Sequence, residues 1–108
     1  MKDLMKVLEN EQQYYEYQKD SNVTVFVFSA NWCPDCVFIK PFLPELVQKY
    51  SDYKFIYVDR DQYLDICLDH DVLGIPSFVA YKDNQEIGRF VSKLRKTKEQ
   101  IDEFLGEL

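Results

Sequence analysis

Cys33 and Cys36 flank Pro34 and Asp35, and Trp32 precedes them. Thiols at this spacing can close a disulfide with each other, exchange it with another molecule's disulfide, or ligate a metal. Exchange requires one sulfur to attack as a thiolate and the second to displace the mixed disulfide that results. The chemistry therefore turns on which sulfur ionises at neutral pH. A second pair, Cys67 and His70, repeats the gap, with 30 residues between the two pairs. As bare text the four residues match the spacing of a structural zinc site.

The elements that must hold these side chains favour redox chemistry over zinc. Val23 to Phe28 is an uncharged β-branched and aromatic run, the pattern of a strand covered on both faces. From Pro34 to Tyr50 the apolar residues Ile39, Phe42, Leu43, Leu46, Val47 and Tyr50 recur at helical offsets. Pro41 and Pro44 fall inside this stretch and predict a kink. Cys33 thus sits where a buried strand gives way to a helix. A helix N-terminus offers unpaired N–H groups and a partial positive charge, and both favour a thiolate. Pro34 suits the first helical position, where no donor is lost. These placements make Cys33 the expected attacking thiolate and Cys36 the resolving thiol. Asp35 stabilises the first helical turn but repels a thiolate beside it. It is expected to make the protein a reductant, and it is the candidate acceptor of the Cys36 proton. Zinc ribbons mount their ligands on short glycine-bearing knuckles, whereas both pairs here fall on helices.

The remaining elements complete one α/β domain over residues 1–108. Met5 to Leu8 fits a short strand or a first helical turn equally well. Asn10 with Gln13 predicts a helix N-cap, and Glu11 to Lys19 the helix. Tyr53 to Val58 reads as a second strand. Asp61 is expected to cap a short helix with Leu64, Cys67 and Leu68 facing inward, which makes Cys67 a core residue and leaves His70 to cap the helix C-terminus. Ser77 to Lys82 reads as a third strand, Asp83 to Gln85 as a turn, and Glu86 to Ser92 as a hairpin partner. Thr97 with Gln100 forms a capping box for a last helix burying Ile101, Phe104, Leu105 and Leu108. The order implies a parallel strand pair joined by a right-handed crossover, followed by antiparallel strands. The expected architecture is a mixed central sheet of about four to five strands with helices on both faces.

Composition narrows the functions open to such a domain. A net charge of −6 argues against a nucleic-acid partner, which needs a basic face. The polar start, Met1 to Lys6, lacks the apolar core of a secretion signal. No apolar run approaches the roughly 18 residues that would span a bilayer. Three cysteines are too few for a disulfide scaffold. The expectation is a soluble, cytoplasmic, monomeric protein without a membrane partner.

The chain resembles the thioredoxin family over nearly its whole length. The resemblance rests on Trp32-Cys33-Pro34-Asp35-Cys36 after a buried strand, Pro41 five residues past Cys36, and Val72-Leu73-Gly74-Ile75-Pro76-Ser77-Phe78, whose proline stands 43 residues after Cys33. It implies the thioredoxin fold, a cis Ile75–Pro76 bond facing the cysteines, and substrate contacts at Ile75 and Pro76; Trp32 fits either packing that shields the disulfide or part of the substrate-binding face. It also implies thiol–disulfide oxidoreductase activity with no bound cofactor. Substrates would be protein or small-thiol disulfides, and electrons would come from a thioredoxin reductase or a low-molecular-weight thiol. The chain departs from the family at Val27 and Phe55, where an aspartate and a lysine usually form a buried pair, and at Ser29, where tryptophan is common. Pro-Asp replaces the common Gly-Pro between the cysteines, and the groove glycine has no match near Val91, Ser92 and Lys93. These departures put a general-purpose thioredoxin role in doubt. Two alternatives to turnover stand beside the reductase: a binding module using the Ile75–Pro76 groove, and the zinc protein that the Cys-x2-Cys and Cys-x2-His spacing allows.

Overall fold

Thr24–Ser29 forms a strand whose six residues are all buried, as its uncharged sequence requires. Because successive side chains leave a strand on opposite faces, it feeds two cores. Val25 and Val27 join one, with Ile39, Leu43, Phe55 and Ile101. Phe26 and Phe28 join the other, with Tyr14, Ile56, Ile66 and Cys67.

The computed structural model describes residues 1–108. A 3₁₀ turn at Lys2–Leu4 is followed by β1 (Lys6–Val7), α1 (Glu11–Tyr17), β2 (Thr24–Ser29), α2 (Pro34–Ile39) and α3 (Leu43–Lys49). Next come β3 (Lys54–Asp59), α4 (Leu64–Asp69), β4 (Ser77–Lys82), β5 (Gln85–Phe90) and α5 (Lys98–Gly106). The five strands lie in the order β1-β3-β2-β4-β5. β1, β3 and β2 run parallel, β4 is antiparallel to β2, and β5 is antiparallel to β4. α1 and α4 cover one face, while α2, α3 and α5 cover the other. This is the mixed α/β sheet that the element order implies. No helix is long and apolar enough to cross a membrane.

Several boundaries differ from expectation for identifiable reasons. Met5 to Leu8 resolves as strand, because Lys6 and Val7 find open partners at Ile56 and Tyr57. The stretch from Pro34 to Tyr50 is broken rather than kinked: α2 ends at Ile39 and α3 begins at Leu43. Pro41 supplies no N–H at the junction, and Pro44 sits in the first turn of the second helix, where its missing donor costs nothing. The Asp61 cap is not formed. Asp59 Oδ1 instead accepts the Asp61 and Gln62 N–H groups at 2.9 and 3.3 Å, and α4 starts later, at Leu64. That delay turns the helix so that Ile66 and Cys67 are buried while Leu64 and Leu68 are exposed. In the hairpin, Asp83 and Asn84 alone form the turn, with φ of 51° and 65°. Such left-handed pairs match strand twist in two-residue hairpins. β5 ends at Phe90, releasing Val91 to Lys96 toward the end of the sheet where the cysteines lie.

Candidate active site

Cys33 is the N-cap of α2, with extended backbone at φ −81° and ψ 117°. Its Sγ accepts the Cys36 N–H at 3.2 Å, so the sulfur itself fills one of the donors that a helix start leaves open. Pro34 takes the first helical turn beside it, as the sequence requires. On its other side Cys33 Sγ donates to the Ile75 carbonyl at 3.7 Å. The Ile75–Pro76 bond is cis. The family resemblance implies that Ile75 and Pro76 face Cys33 and Cys36, and the fold brings Ile75 against Cys33.

The two thiols occupy unlike environments. Cys36 is fully buried, and burial pushes its thiol up to about 12; the Cys33 sulfur adds to the rise, while the Ser29 hydroxyl and the Ala30 backbone oppose it. Cys33 instead lines a groove of about 330 Å³ together with Trp32, Pro34, Asp35, Arg60, Leu73, Gly74, Ile75 and Lys93. Trp32 is exposed at its rim and tied down by a 2.6 Å hydrogen bond from Nε1 to Asp61. Val27 and Phe55 are packed in the apolar core, so no carboxylate–ammonium pair stands at those positions.

Asp35 is not the free carboxylate the sequence suggests: Arg95 Nε lies 2.8 Å from its Oδ1. Arg95 also stacks over Phe38, 4.5 Å from the ring centroid. The neighbouring Lys96 is buried, donating to the Ser92 and Leu94 carbonyls. Arg60, Lys93, Arg95 and Lys96 escaped sequence reading, because a charged run ahead of a helix looks like solvated surface. The one available hint was the basic cluster at Lys93, Arg95 and Lys96, in a chain with an acidic excess.

The zinc reading fails on geometry. No three His, Cys, Asp or Glu side chains converge as metal donors would. Cys67 lies in the Phe26–Phe28 core, and burial pushes its thiol up to about 11. His70 caps α4, as expected, and its ring meets the Tyr15 hydroxyl at 3.2 Å.

A dithiol at the start of a helix, one sulfur facing a groove and the other buried behind it, on this five-stranded sheet, defines a thiol–disulfide oxidoreductase. The thioredoxin family model matches residues 5–107, and the chain belongs to the thioredoxin family. It is 35% identical to thioredoxin from Rattus norvegicus over 104 residues, covering 94% of this chain and 99% of the rat protein. It is 36% identical to thioredoxin from Homo sapiens over 86 residues, covering 80% of this chain and 79% of the human one. Oxidised mitochondrial thioredoxin 3 from Saccharomyces cerevisiae superposes with a TM-score of 0.83 at 29% identity, over 96% of this chain and 95% of that one. Thioredoxin from Trypanosoma brucei brucei gives a TM-score of 0.85 over 95% and 88%, and at 20% identity that likeness concerns the fold. Thiol–disulfide exchange through the Cys33–Cys36 pair is the activity these relatives share with the geometry.

Proposed function

We propose that the chain is a cytoplasmic, monomeric disulfide reductase in which Cys33 attacks and Cys36 resolves. The observation that carries this reading is the asymmetry of the two sulfurs. Cys33 Sγ receives a helix N–H and faces the groove, whereas Cys36 is buried and its thiol is pushed up to about 12. Of the two sulfurs Cys33 is then the nucleophile, because Cys36 is held as a protonated thiol and the protonated thiol does not react.

Cys33 thiolate attacks one sulfur of a substrate disulfide. That S–S bond breaks, and the other substrate sulfur leaves with the electron pair. The leaving thiolate takes up a proton as Cys36 gives one up; the Cys36 sulfur then attacks Cys33 Sγ, the mixed disulfide breaks, and the second substrate sulfur leaves with the electron pair as a thiolate. The products are a dithiol substrate and a Cys33–Cys36 disulfide, with two electrons transferred. Resetting the protein requires an external donor, a flavoprotein reductase or a low-molecular-weight thiol, and no bound cofactor. Trp32 and Leu73, both more than half exposed at the groove rim, are the apolar contacts for an extended substrate, whose backbone would pair beside Ile75.

Reduction of insulin by the wild-type protein, set against Cys33→Ser, tests the reading. Turnover in the wild type and none in the variant is expected. A wild-type protein that leaves the insulin disulfides intact overturns it. In Cys36→Ser the mixed disulfide on Cys33 should accumulate, and mass spectrometry of the trapped adduct identifies the substrate.

A further inference from the structure

Lys96 is the only charged side chain among the 32 buried residues, and it is 1% exposed. Lysine is almost never fully buried unless paired, because a desolvated ammonium is costly. The six ion pairs of the chain all involve other cations. Lys96 Nζ donates instead to the Ser92 carbonyl at 3.1 Å and the Leu94 carbonyl at 3.4 Å, and lies 5.2 Å from the Phe90 ring centroid. Two carbonyls and a ring face solvate the ion in part, and they bring no negative charge.

The loop that Lys96 closes bears on the redox site from two sides. A Cβ on Gly74 would meet the Ser92 carbonyl oxygen at 2.2 Å, so the loop backbone lies directly on Gly74. The next carbonyl, that of Ile75, accepts from Cys33 Sγ. On the other side Arg95 reaches Asp35, between the two cysteines. Contact thus runs from Lys96 through Ser92 and Gly74 to the attacking sulfur.

Building on the reductase reading, we propose that Lys96 is a positioning residue for the dithiol. Its buried ammonium fastens the Ser92–Lys96 loop across Gly74 and Ile75, and it presents to Cys33 an inner positive charge that salt screens far less than a surface one. Burial holds the ammonium below the usual lysine range, and the charges of Asp35, Cys36 and Cys33 draw it back up. The coupling is reciprocal: an ammonium that the thiolate stabilises stabilises the thiolate in turn. Other groups act on the same sulfurs. Asp35 stands between the two cysteines in the first turn of α2, and Tyr57 feels Cys36 from β3. Arg60 and Lys93 line the groove, and Arg95 neutralises Asp35. All three of these cations lie at the surface, where salt weakens them.

The test compares the wild type with Lys96→Met and Lys96→Arg by the rate of Cys33 modification with iodoacetamide across pH, in low and in 1 M salt. Lys96→Met should slow modification at pH 7 by about five- to tenfold, move the pH profile upward, and keep that deficit in high salt. Lys96→Arg should recover most of the rate. A folded Lys96→Met protein with the wild-type profile overturns the proposal. Should Lys96→Met not fold, wild-type protein with ¹⁵N-labelled lysine gives the answer. Lys96 Nζ should titrate at higher pH in the reduced than in the disulfide form, and identical titration in both overturns the proposal. Failure of the wild type to reduce insulin would instead strike the reductase reading, so the two failures are separable.

Discussion

Arg95 Nε lies 2.8 Å from the Asp35 carboxylate, across 60 residues of sequence. The contact changes what Asp35 does. An unpaired carboxylate in the first turn of α2 would oppose a thiolate at Cys33, whereas a paired one leaves the helix N-terminus close to its own positive potential. Removing Asp35 should therefore change little while Arg95 remains. Removing Arg95 should expose the repulsion. Arg95→Ala is expected to slow Cys33 alkylation about two- to fivefold, the size of an exposed ion pair. Asp35→Asn in the Arg95→Ala background should restore the rate. The double-mutant cycle measures the coupling directly, and a rate that Arg95→Ala leaves unchanged removes Asp35 as a tuning group.

Native alkylation should be selective. Cys36 and Cys67 are buried, with thiols pushed up to about 12 and about 11, so neither presents a thiolate near neutral pH. Reduced protein treated with iodoacetamide at pH 8 should gain one adduct, on Cys33. The same treatment in guanidinium should label all three cysteines. Peptide mapping checks both outcomes, and early labelling of Cys67 would mean its core opens locally.

What could be read from sequence was local. The Ser77–Lys82 strand has the bounds its composition indicates, and the Thr97–Gln100 capping box forms with both hydrogen bonds. Cys33 and Pro34 take their helix-start positions because neighbouring residues dictate them. The α4 face was misread because its start is set by Asp59, in the preceding strand, and a helix begun later turns each side chain by about 100° per residue. Arg95 and Lys96 were illegible for a different reason. Their partners are Asp35 on a distant helix and the carbonyls of a loop that bends inward only after β5 ends early. No periodicity carries that information.

Buried thiols also give the stability of the reduced protein a pH dependence. Burial pushes the Cys67 thiol up to about 11, above the range of a thiol in an unfolded chain. Its contribution is fully present below pH 9. Between pH 9 and 11 the unfolded chain releases a proton that the native chain retains, so stability falls as pH rises, by up to about 1.4 kcal/mol per pH unit for one thiol. Cys67→Ala should be less stable than the wild type at pH 8, because it opens a small void in the core. That gap should narrow as pH climbs from 9 toward 11. Urea midpoints for the two proteins across this range decide the matter, and a gap that stays constant shows that Cys67 does not titrate on unfolding. Cys36 and the buried tyrosines act in the same direction in both proteins and cancel in the comparison.

Gly74 is the closest approach between the Pro76 segment and the basic loop. A Cβ there would stand 2.2 Å from the Ser92 oxygen, 2.5 Å from the Ser92 carbonyl carbon and 2.9 Å from the Lys93 nitrogen, all backbone atoms that cannot rotate away. Gly88→Ala is the control, because its nearest contact is the flexible tip of Leu108 at 2.8 Å. Gly74→Ala should cost about 1–3 kcal/mol, as forced overpacking does, while Gly88→Ala should stay well below that. Activity should separate from stability as well. Displacing the loop carries Ser92 off Gly74 and loosens the carbonyl at Ile75 that the Cys33 sulfur meets, so insulin reduction by folded Gly74→Ala should drop several-fold while Gly88→Ala retains the wild-type rate. Equal activity in the two variants, measured where both are fully folded by circular dichroism, would mean that the loop contributes only to stability.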